Sequence, residues 1–170
     1  CEITNISATS TTFSTTYGFN VLSTSANNTF YNCRISNINS TSTVAGVYIS
    51  SGNDNVFDGF KINNLQGNGN SYGMYFTSAS NTTVKNCEIT NISTSTTVSS
   101  YGIYIASSSD NAKIFNNAIA GIYDAVNKTS FQYIPSGIML FGSIGHQVYH
   151  NSINLFGIKN SGNTAQGYSA

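Results

Sequence analysis

Few residues of this 170-residue chain carry side chains that could do acid–base, nucleophilic or metal chemistry. The sequence contains six acidic residues, six basic residues, two histidines and three cysteines. Two carboxylates at a fixed separation can hydrolyse a glycosidic bond. Asp54 and Asp110 are the candidates for this role because both lie in a turn rich in Ser and Asn. His146 and His150, four residues apart, are the candidates for binding a metal ion.

Composition argues against two other classes of partner. Only 7% of the residues are charged, and the formal net charge is zero. A nucleic-acid-binding surface needs clustered Lys and Arg, whereas the six basic residues here are spread along the chain. No apolar run approaches the roughly 20 residues that span a bilayer, and no signal peptide opens the sequence. We therefore expect neither a nucleic-acid partner nor a membrane span.

An internal repeat positions these residues. Six times an Ile is followed three residues later by another apolar residue, at intervals of 27 to 34 residues. The pairs are Ile3/Ile6, Ile35/Ile38, Ile62/Leu65, Ile89/Ile92, Ile119/Ile122 and Ile153/Phe156. A Gly precedes each of the last five pairs by 16 or 17 residues, at Gly18, Gly46, Gly73, Gly102 and Gly137. The length variation falls in Ser/Thr-rich segments elsewhere in the repeat, which we predict to be loops on a single edge.

Within each repeat the periodicity is that of β-strands. Apolar residues occupy the first and third positions after the Gly, as at Val47 and Ile49, which predicts one buried face. A turn, a short strand and the Ile-x-x-Ile strand follow. Three short strands per repeat, without a helical period, predict an all-β solenoid of about five coils. An antiparallel sandwich would need hairpin turns and would not keep like residues at a fixed offset.

The repeat units resemble a known family. Units such as "GVYISSGNDNVFDGFKINNL" and "YGIYIASSSDNAKIFNNAIAGI" are similar to right-handed parallel β-helix repeats of pectin-degrading enzymes, phage tailspikes and large secreted surface proteins. The resemblance covers residues 1–170 and implies a single right-handed parallel β-helix segment. The unit "GIMLFGSIGHQVYHNSINLFG" most resembles repeats of surface proteins that bacteria export by the type IX route, which implies an extracellular or cell-surface location.

The two chain ends carry no polar capping element, and the sequence begins and stops within a repeat. Solenoids need caps that protect the ends of their sheets. We therefore expect that the segment is an excerpt of a longer array, in which neighbouring coils of the same chain are its partners.

Stacked repeats place like residues above one another at a spacing of about 4.8 Å. Asn and Gly tolerate the left-handed backbone of a tight corner, and stacked Asn amides can hydrogen-bond from coil to coil. Two such corner columns are predicted. The first contains Asn32, Gly59, Asn86, Asn116 and His150, and the second contains Asn5, Asn37, Asn64, Asn91 and Gly121.

Cysteine follows the same column logic. Cys1, Cys33 and Cys87 share a position that Phe60 or Asn117 occupies in other repeats. An odd number of cysteines without a C-x-x-C motif argues against a zinc site or a disulfide framework. We interpret all three as buried free thiols that fill a stack, with a Cys1–Cys33 bridge as the alternative.

The charged residues are predicted to pair between coils on the exposed surface. The predicted pairs are Glu2 with Arg34, Lys61 with Glu88, and Asp58 with Lys85. The resemblance to pectate lyases implies carboxylates around calcium and an Arg base, and related hydrolases group Asp residues on neighbouring coils. Here the acids are scattered and the only Arg lies in a ladder. No catalytic residue is predicted.

Neither of the candidate chemical pairs survives this arrangement as a site. Asp54 and Asp110 fall two coils apart, roughly 10 Å by the strand spacing, near the upper end for the carboxylates of an inverting glycosidase. His146 and His150 would be about 13 Å apart along a strand, too far to bind one metal ion. We predict no metal site and no cofactor.

One aromatic strip suggests a binding role. Tyr48, Tyr75 and Tyr104 occupy the second position after the Gly in three successive repeats, on the face that β-helix family members often use as a substrate groove. An uncharged aromatic strip suits neutral sugars, and the alternative is a ladder that stabilises the stack by ring packing.

These observations favour a non-enzymatic structural or adhesive stalk segment of a secreted surface protein, with surface glycans as candidate partners. Two alternatives remain. One is a carbohydrate-active enzyme, a polysaccharide lyase or a glycoside hydrolase, with its catalytic coils outside this segment. The other is a sugar-binding module.

Overall fold

The computed structural model describes residues 1–9, 15–22, 25–124 and 134–155, which contain sixteen β-strands and no helix. The strands are β1 (Glu2–Ala8), β2 (Thr16–Leu22), β3 (Thr29–Tyr31), β4 (Arg34–Ser40), β5 (Val44–Ser50), β6 (Val56–Asp58), β7 (Lys61–Gly67), β8 (Ser71–Thr77), β9 (Thr83–Lys85), β10 (Glu88–Thr94), β11 (Ser100–Ile105), β12 (Lys113–Phe115), β13 (Ala118–Asp124), β14 (Ser136–Leu140), β15 (Gln147–Tyr149) and β16 (Ser152–Asn154).

The strands form three parallel sheets in which each strand pairs with its counterparts in the neighbouring repeats. Sheet A has the order β1-β4-β7-β10-β13-β16, sheet B the order β2-β5-β8-β11-β14, and sheet C the order β3-β6-β9-β12-β15. All the pairings are parallel, as in β5 with β8. Each repeat therefore contributes one strand to each sheet, which confirms the predicted all-β parallel solenoid.

The register confirms the predicted columns. In sheet A, Ile35 pairs with Ile3 on one side and with Ile62 on the other, and the same column continues through Ile89, Ile119 and Ile153. Phe156, the predicted partner of Ile153, lies outside the described residues. The connections that vary most in length run from a sheet A strand to a sheet B strand, so the described parts of these loops lie on one edge as predicted. Residues 10–14 and 125–133 of these loops are outside the described part.

The core is the continuous inside of the solenoid. Ile35, Ile62 and Ile89 are fully buried in sheet A, and Phe57 and Phe76 fill the space towards the other sheets. Leu140, the third residue after Gly137, belongs to the face that was predicted to be buried, but it is 39% exposed, and Val148 in β15 is 44% exposed. Both lie in end strands, because no described strand pairs with the far edges of β14 and β15.

The glycine near the start of each sheet B strand lies against an isoleucine inside its own coil. A Cβ atom added to Gly73 would be 2.5 Å from Ile89 Cγ2 and 2.5 Å from the carbonyl oxygen of Gly102 in the next coil. The equivalent contacts join the pairs Gly18/Ile35, Gly46/Ile62, Gly102/Ile119 and Gly137/Ile153. The constant spacing of 16 or 17 residues therefore corresponds to a direct contact that only glycine permits.

A substitution at this contact should lower stability more than one on the outer face of the same strand. We expect Gly73→Ala to reduce the free energy of unfolding by about 1–3 kcal/mol, because the new methyl group overpacks the core. Thr77→Ala, on the half-buried outer side of β8, is the control and should cost much less. Urea unfolding of both variants measures the difference, and equal losses would mean that the glycine contact does not limit the coil.

Candidate functional site

The predicted tyrosine strip is a single file on the outer face of sheet B. Tyr48 pairs in register with Tyr75, and Tyr75 with Tyr104. All three side chains are half-buried. Their ring centroids are 5.1 Å and 5.4 Å apart at the two steps. The strands β5, β8 and β11 position them, since the residues on either side, at the first and third positions after the Gly, point into the core.

A second file of tyrosines, which the sequence analysis missed, packs against the first. Tyr72 stacks on Tyr75 with a centroid distance of 4.6 Å and on Tyr101 with a distance of 5.3 Å. Tyr17 stacks on Tyr48 at 4.8 Å. The available signal was the Tyr-Gly dipeptide, which occurs at residues 17–18, 72–73 and 101–102. We call the six residues the tyrosine cluster: Tyr17, Tyr48, Tyr72, Tyr75, Tyr101 and Tyr104.

Within the tyrosine cluster many of the ring faces are turned towards other rings. The planes of Tyr72 and Tyr101 differ by 13°, and those of Tyr72 and Tyr75 by 23°. Phe141 extends the stack, 6.5 Å from Tyr104 at an angle of 22°. Offset stacking of this kind stabilises the pairs beyond the area that they bury. A sugar that stacks face-on would have to compete with these contacts.

The hydroxyl groups of Tyr72, Tyr75 and Tyr104 are neutral at ordinary pH. Burial raises the pKa of Tyr72, and the neighbouring Tyr101 hydroxyl raises it further. Burial also raises the pKa of Tyr75 and of Tyr104, with smaller contributions from the tyrosines beside them. A phenol whose pKa lies above its usual value near 10 does not act as a general base at neutral pH. The cluster is therefore suited to packing and neutral hydrogen bonding.

The aspartates that were candidates for acid–base chemistry bind the neighbouring coil. Asp54 Oδ1 accepts a hydrogen bond of 3.0 Å from the Asn81 side-chain amide. Asp110 Oδ1 accepts one of 3.1 Å from the backbone N–H of Ile144. The two aspartates also lie in different columns, because the backbone N–H of Asn81, in the Asp54 column, binds the carbonyl of Asp110.

The predicted ion pairs are confirmed. Arg34 Nε lies 3.9 Å from Glu2 Oε1, and Lys61 Nζ lies 3.7 Å from Glu88 Oε2. The third pair is Asp58 with Lys85, 3.3 Å apart and less exposed than the others. Asp58 also accepts a 2.7 Å hydrogen bond from the Asn86 amide. Exposed pairs of this kind stabilise a fold by at most about 1 kcal/mol each, so their main effect is on register.

The two predicted corner columns have the left-handed backbone that was expected, with φ between 50° and 71° for all of their members. Side-chain amides link the coils, from Asn37 to Asn5 at 3.2 Å and from Asn64 to Asn37 at 2.9 Å. Two further left-handed columns were missed. One contains Asn27, Asp54, Asn81, Asn111 and Gly145, and the other contains Ser51, Ser78, Ser108 and Gly142. Serine is not a usual left-handed residue, so the second column had no clear sequence signal.

A family model described as a right-handed β-helix region matches residues 1–153. The chain belongs to the right-handed β-helix family. No curated protein and no solved structure matches it. Because the β-helix hosts unrelated activities, membership establishes the fold of the chain and leaves its activity open. No helix in the described ranges is long and apolar enough to span a membrane.

One cysteine interpretation is wrong for this β-helix. Cys1 and Cys33 form a disulfide that joins two adjacent coils, with their Cα atoms 4.6 Å apart. Residues stacked one coil apart fall within the Cα separation that a disulfide needs, so the alternative in the sequence analysis holds for this pair. Cys87 is a buried free thiol as predicted, and burial raises its pKa to about 11.

The two histidines flank β15 and occupy different environments in the β-helix. His150 is exposed at a left-handed corner with φ of 54°, whereas His146 is half-buried in the turn before β15. Among residues 1–9, 15–22, 25–124 and 134–155, no group of three or more His, Cys, Asp or Glu side chains could hold a metal ion.

The structural role of Asp54 can be tested by matched substitutions. Asp54→Asn keeps an amide oxygen for Asn81 and a residue type that tolerates a φ of 58°, so we expect a change below about 0.5 kcal/mol. Asp54→Ala should cost about 1–2 kcal/mol because alanine is strained in the left-handed region. Urea unfolding gives both values. An Asn variant as unstable as the Ala variant would show that the negative charge itself is required.

Proposed function

We propose that this β-helix segment is a non-enzymatic structural or adhesive stalk of a secreted, cell-surface repeat protein. The observation that carries the proposal is the use of the acidic side chains. Five of the six acidic residues in the sequence contact a residue of an adjacent coil: Glu2, Asp54, Asp58, Glu88 and Asp110. Carboxylates in these contacts hold the stack together.

An enzyme of the alternative class needs carboxylates in another arrangement. A glycoside hydrolase places two of them on either side of one glycosidic bond, and a calcium-dependent lyase needs several oxygen ligands around one ion. The contacts of Asp54, Asp58 and Asp110 orient each carboxylate along the solenoid towards the next coil. A lyase or hydrolase would therefore need catalytic coils outside this segment.

Two observations support an extracellular location. The disulfide between Cys1 and Cys33 is of a kind that persists in oxidising compartments and is rare in the cytosol. The chain is also low in charge and rich in Ser, Thr and Asn. In a solenoid each coil contacts only its neighbours, so length can be added by repeating units. These properties suit a spacer that holds another part of a chain away from a cell.

The tyrosine cluster is the face on which an adhesive version of this function would act. Tyr48, Tyr75 and Tyr104 remain partly accessible along three successive coils, and they carry no charge. Neutral glycans are the partner class that such a surface would suit. The stacking of the rings on one another favours the spacer over the sugar-binding module.

Replacing Tyr48, Tyr75 and Tyr104 together with Ser separates the two versions. We expect the free energy of unfolding to fall by about 1–3 kcal/mol through lost ring contacts, measured by urea unfolding. We expect no glycan on an array to bind the wild-type segment. A variant with Ser50→Ala and Thr77→Ala, on the same outer face, is the control for nonspecific surface effects.

Two results would contradict the spacer. Reproducible binding of neutral glycans that the triple variant loses and the control retains would make the segment an adhesin that binds through the tyrosine cluster. Release of sugar from a polysaccharide by the segment alone would make it an enzyme.

A further inference from the structure

A column of equivalent residues lies in the turn before sheet C, and two of its side chains bind the neighbouring coil. Its members are Asn28, Asn55, Thr82, Ala112 and His146. Asn55 Oδ1 accepts a 3.1 Å hydrogen bond from the backbone N–H of Asn28. In the last described coil, His146 Nδ1 accepts a 3.2 Å hydrogen bond from the backbone N–H of Ala112. The imidazole of His146 therefore takes the place of the amide oxygen of Asn55.

This hydrogen bond requires a neutral imidazole. A ring nitrogen that accepts a hydrogen bond carries no proton, so the proton of neutral His146 is on Nε2. His146 Nε2 is buried and has no hydrogen-bond partner within the described part of the chain. Protonation of Nδ1 would make the N–H of His146 face the backbone N–H of Ala112, so that two donors meet without an acceptor. It would also place a positive charge at the interface between two coils. Both effects weaken the contact between the two coils.

The charged surroundings do not offset this cost. Asp110, in the turn of the coil below, is the acidic group whose charge acts on His146, and its Oδ1 already accepts the N–H of Ile144. Lys113 begins the paired strand β12 with an exposed side chain, and β15 itself carries no charged residue next to His146. Burial lowers the pKa of His146 more than Asp110 raises it.

We propose that protonation of His146 weakens the contact between the coil of β14–β16 and the coil below it, so that this step of the β-helix is sensitive to acid. This acid sensitivity does not depend on the proposed stalk function. Because the pKa is lower in the folded state than the usual value near 6.5, the stabilisation is complete above that value. It is lost as the pH falls through the lowered folded pKa, and stability changes no further below it.

The columns supply matched variants for a test on the full chain. His146→Asn copies Asn55 and keeps an acceptor that does not titrate. His150→Asn copies Asn32, Asn86 and Asn116 and removes the other histidine. His146→Ala copies Ala112 and removes the acceptor at every pH. Hydrogen exchange, read by mass spectrometry on peptides covering 106–115 and 134–155, compares the variants at about pH 5 and about pH 7.5, on either side of the usual histidine pKa. Comparison at equal pH cancels the intrinsic pH dependence of exchange.

We expect the wild type and His150→Asn to lose protection several-fold relative to His146→Asn at the lower pH, and to match it at the higher pH. His146→Ala should be poorly protected at both. The proposal is overturned if wild type and His146→Asn respond alike to pH, or if His150→Asn removes the response. An imidazole of His146 that titrates at or above the usual value by NMR would overturn it as well.

Discussion

Inside each coil, the backbone of a glycine lies against the first isoleucine of the following sheet A strand. The same glycine approaches the carbonyl of the equivalent glycine in the next coil, as Gly73 approaches Gly102. This contact sets the cross-section of the coil, because the chain between Gly73 and Ile89 must close over a fixed distance. On the opposite side of each coil, the connections between sheet A and sheet B differ in length. Because the cross-section is constant, each outer residue can lie directly above the equivalent residue of the next coil.

Stacking at a fixed spacing explains why the few charged residues pair with one another. A side chain on the surface of the solenoid meets its counterpart on the next coil, and complementary pairs such as Asp58 and Lys85 result. The tyrosine cluster follows the same rule, with rings turned towards the rings of neighbouring coils. Polar groups that stack also satisfy one another, which a largely uncharged surface requires. The polar and charged side chains that would contact a substrate in a catalytic site here contact the neighbouring coils.

The residues of a column can change while a contact between coils is kept. Where Cys87 occupies the column after sheet C, its backbone N–H is bound by the side chain of Asn117 in the next coil at 2.9 Å. The amide of Asn117 in turn donates to the carbonyl of Val84 at 3.1 Å, so this buried asparagine is satisfied, as buried polar groups usually are. Substitution within a column can therefore introduce new chemistry, a disulfide at Cys1 and Cys33 or a titrating group at His146, without a change of fold.

The sequence by itself determined the repeat, the strand faces, two left-handed corners and the ion pairs. Each of these follows from local alternation and from residue identity at a fixed offset, as Asn37 and Asn64 illustrate. Only the tertiary structure decided that Tyr72 joins Tyr75, that Cys1 bonds Cys33, and that Ser51 adopts a left-handed backbone. These depend on the distance between coils and on the shape of the coil's cross-section, which the glycine contact sets. The disulfide can form only when two coils are stacked, whereas the contact of Tyr72 with Tyr75, within β8, depends on how the chain of one coil closes.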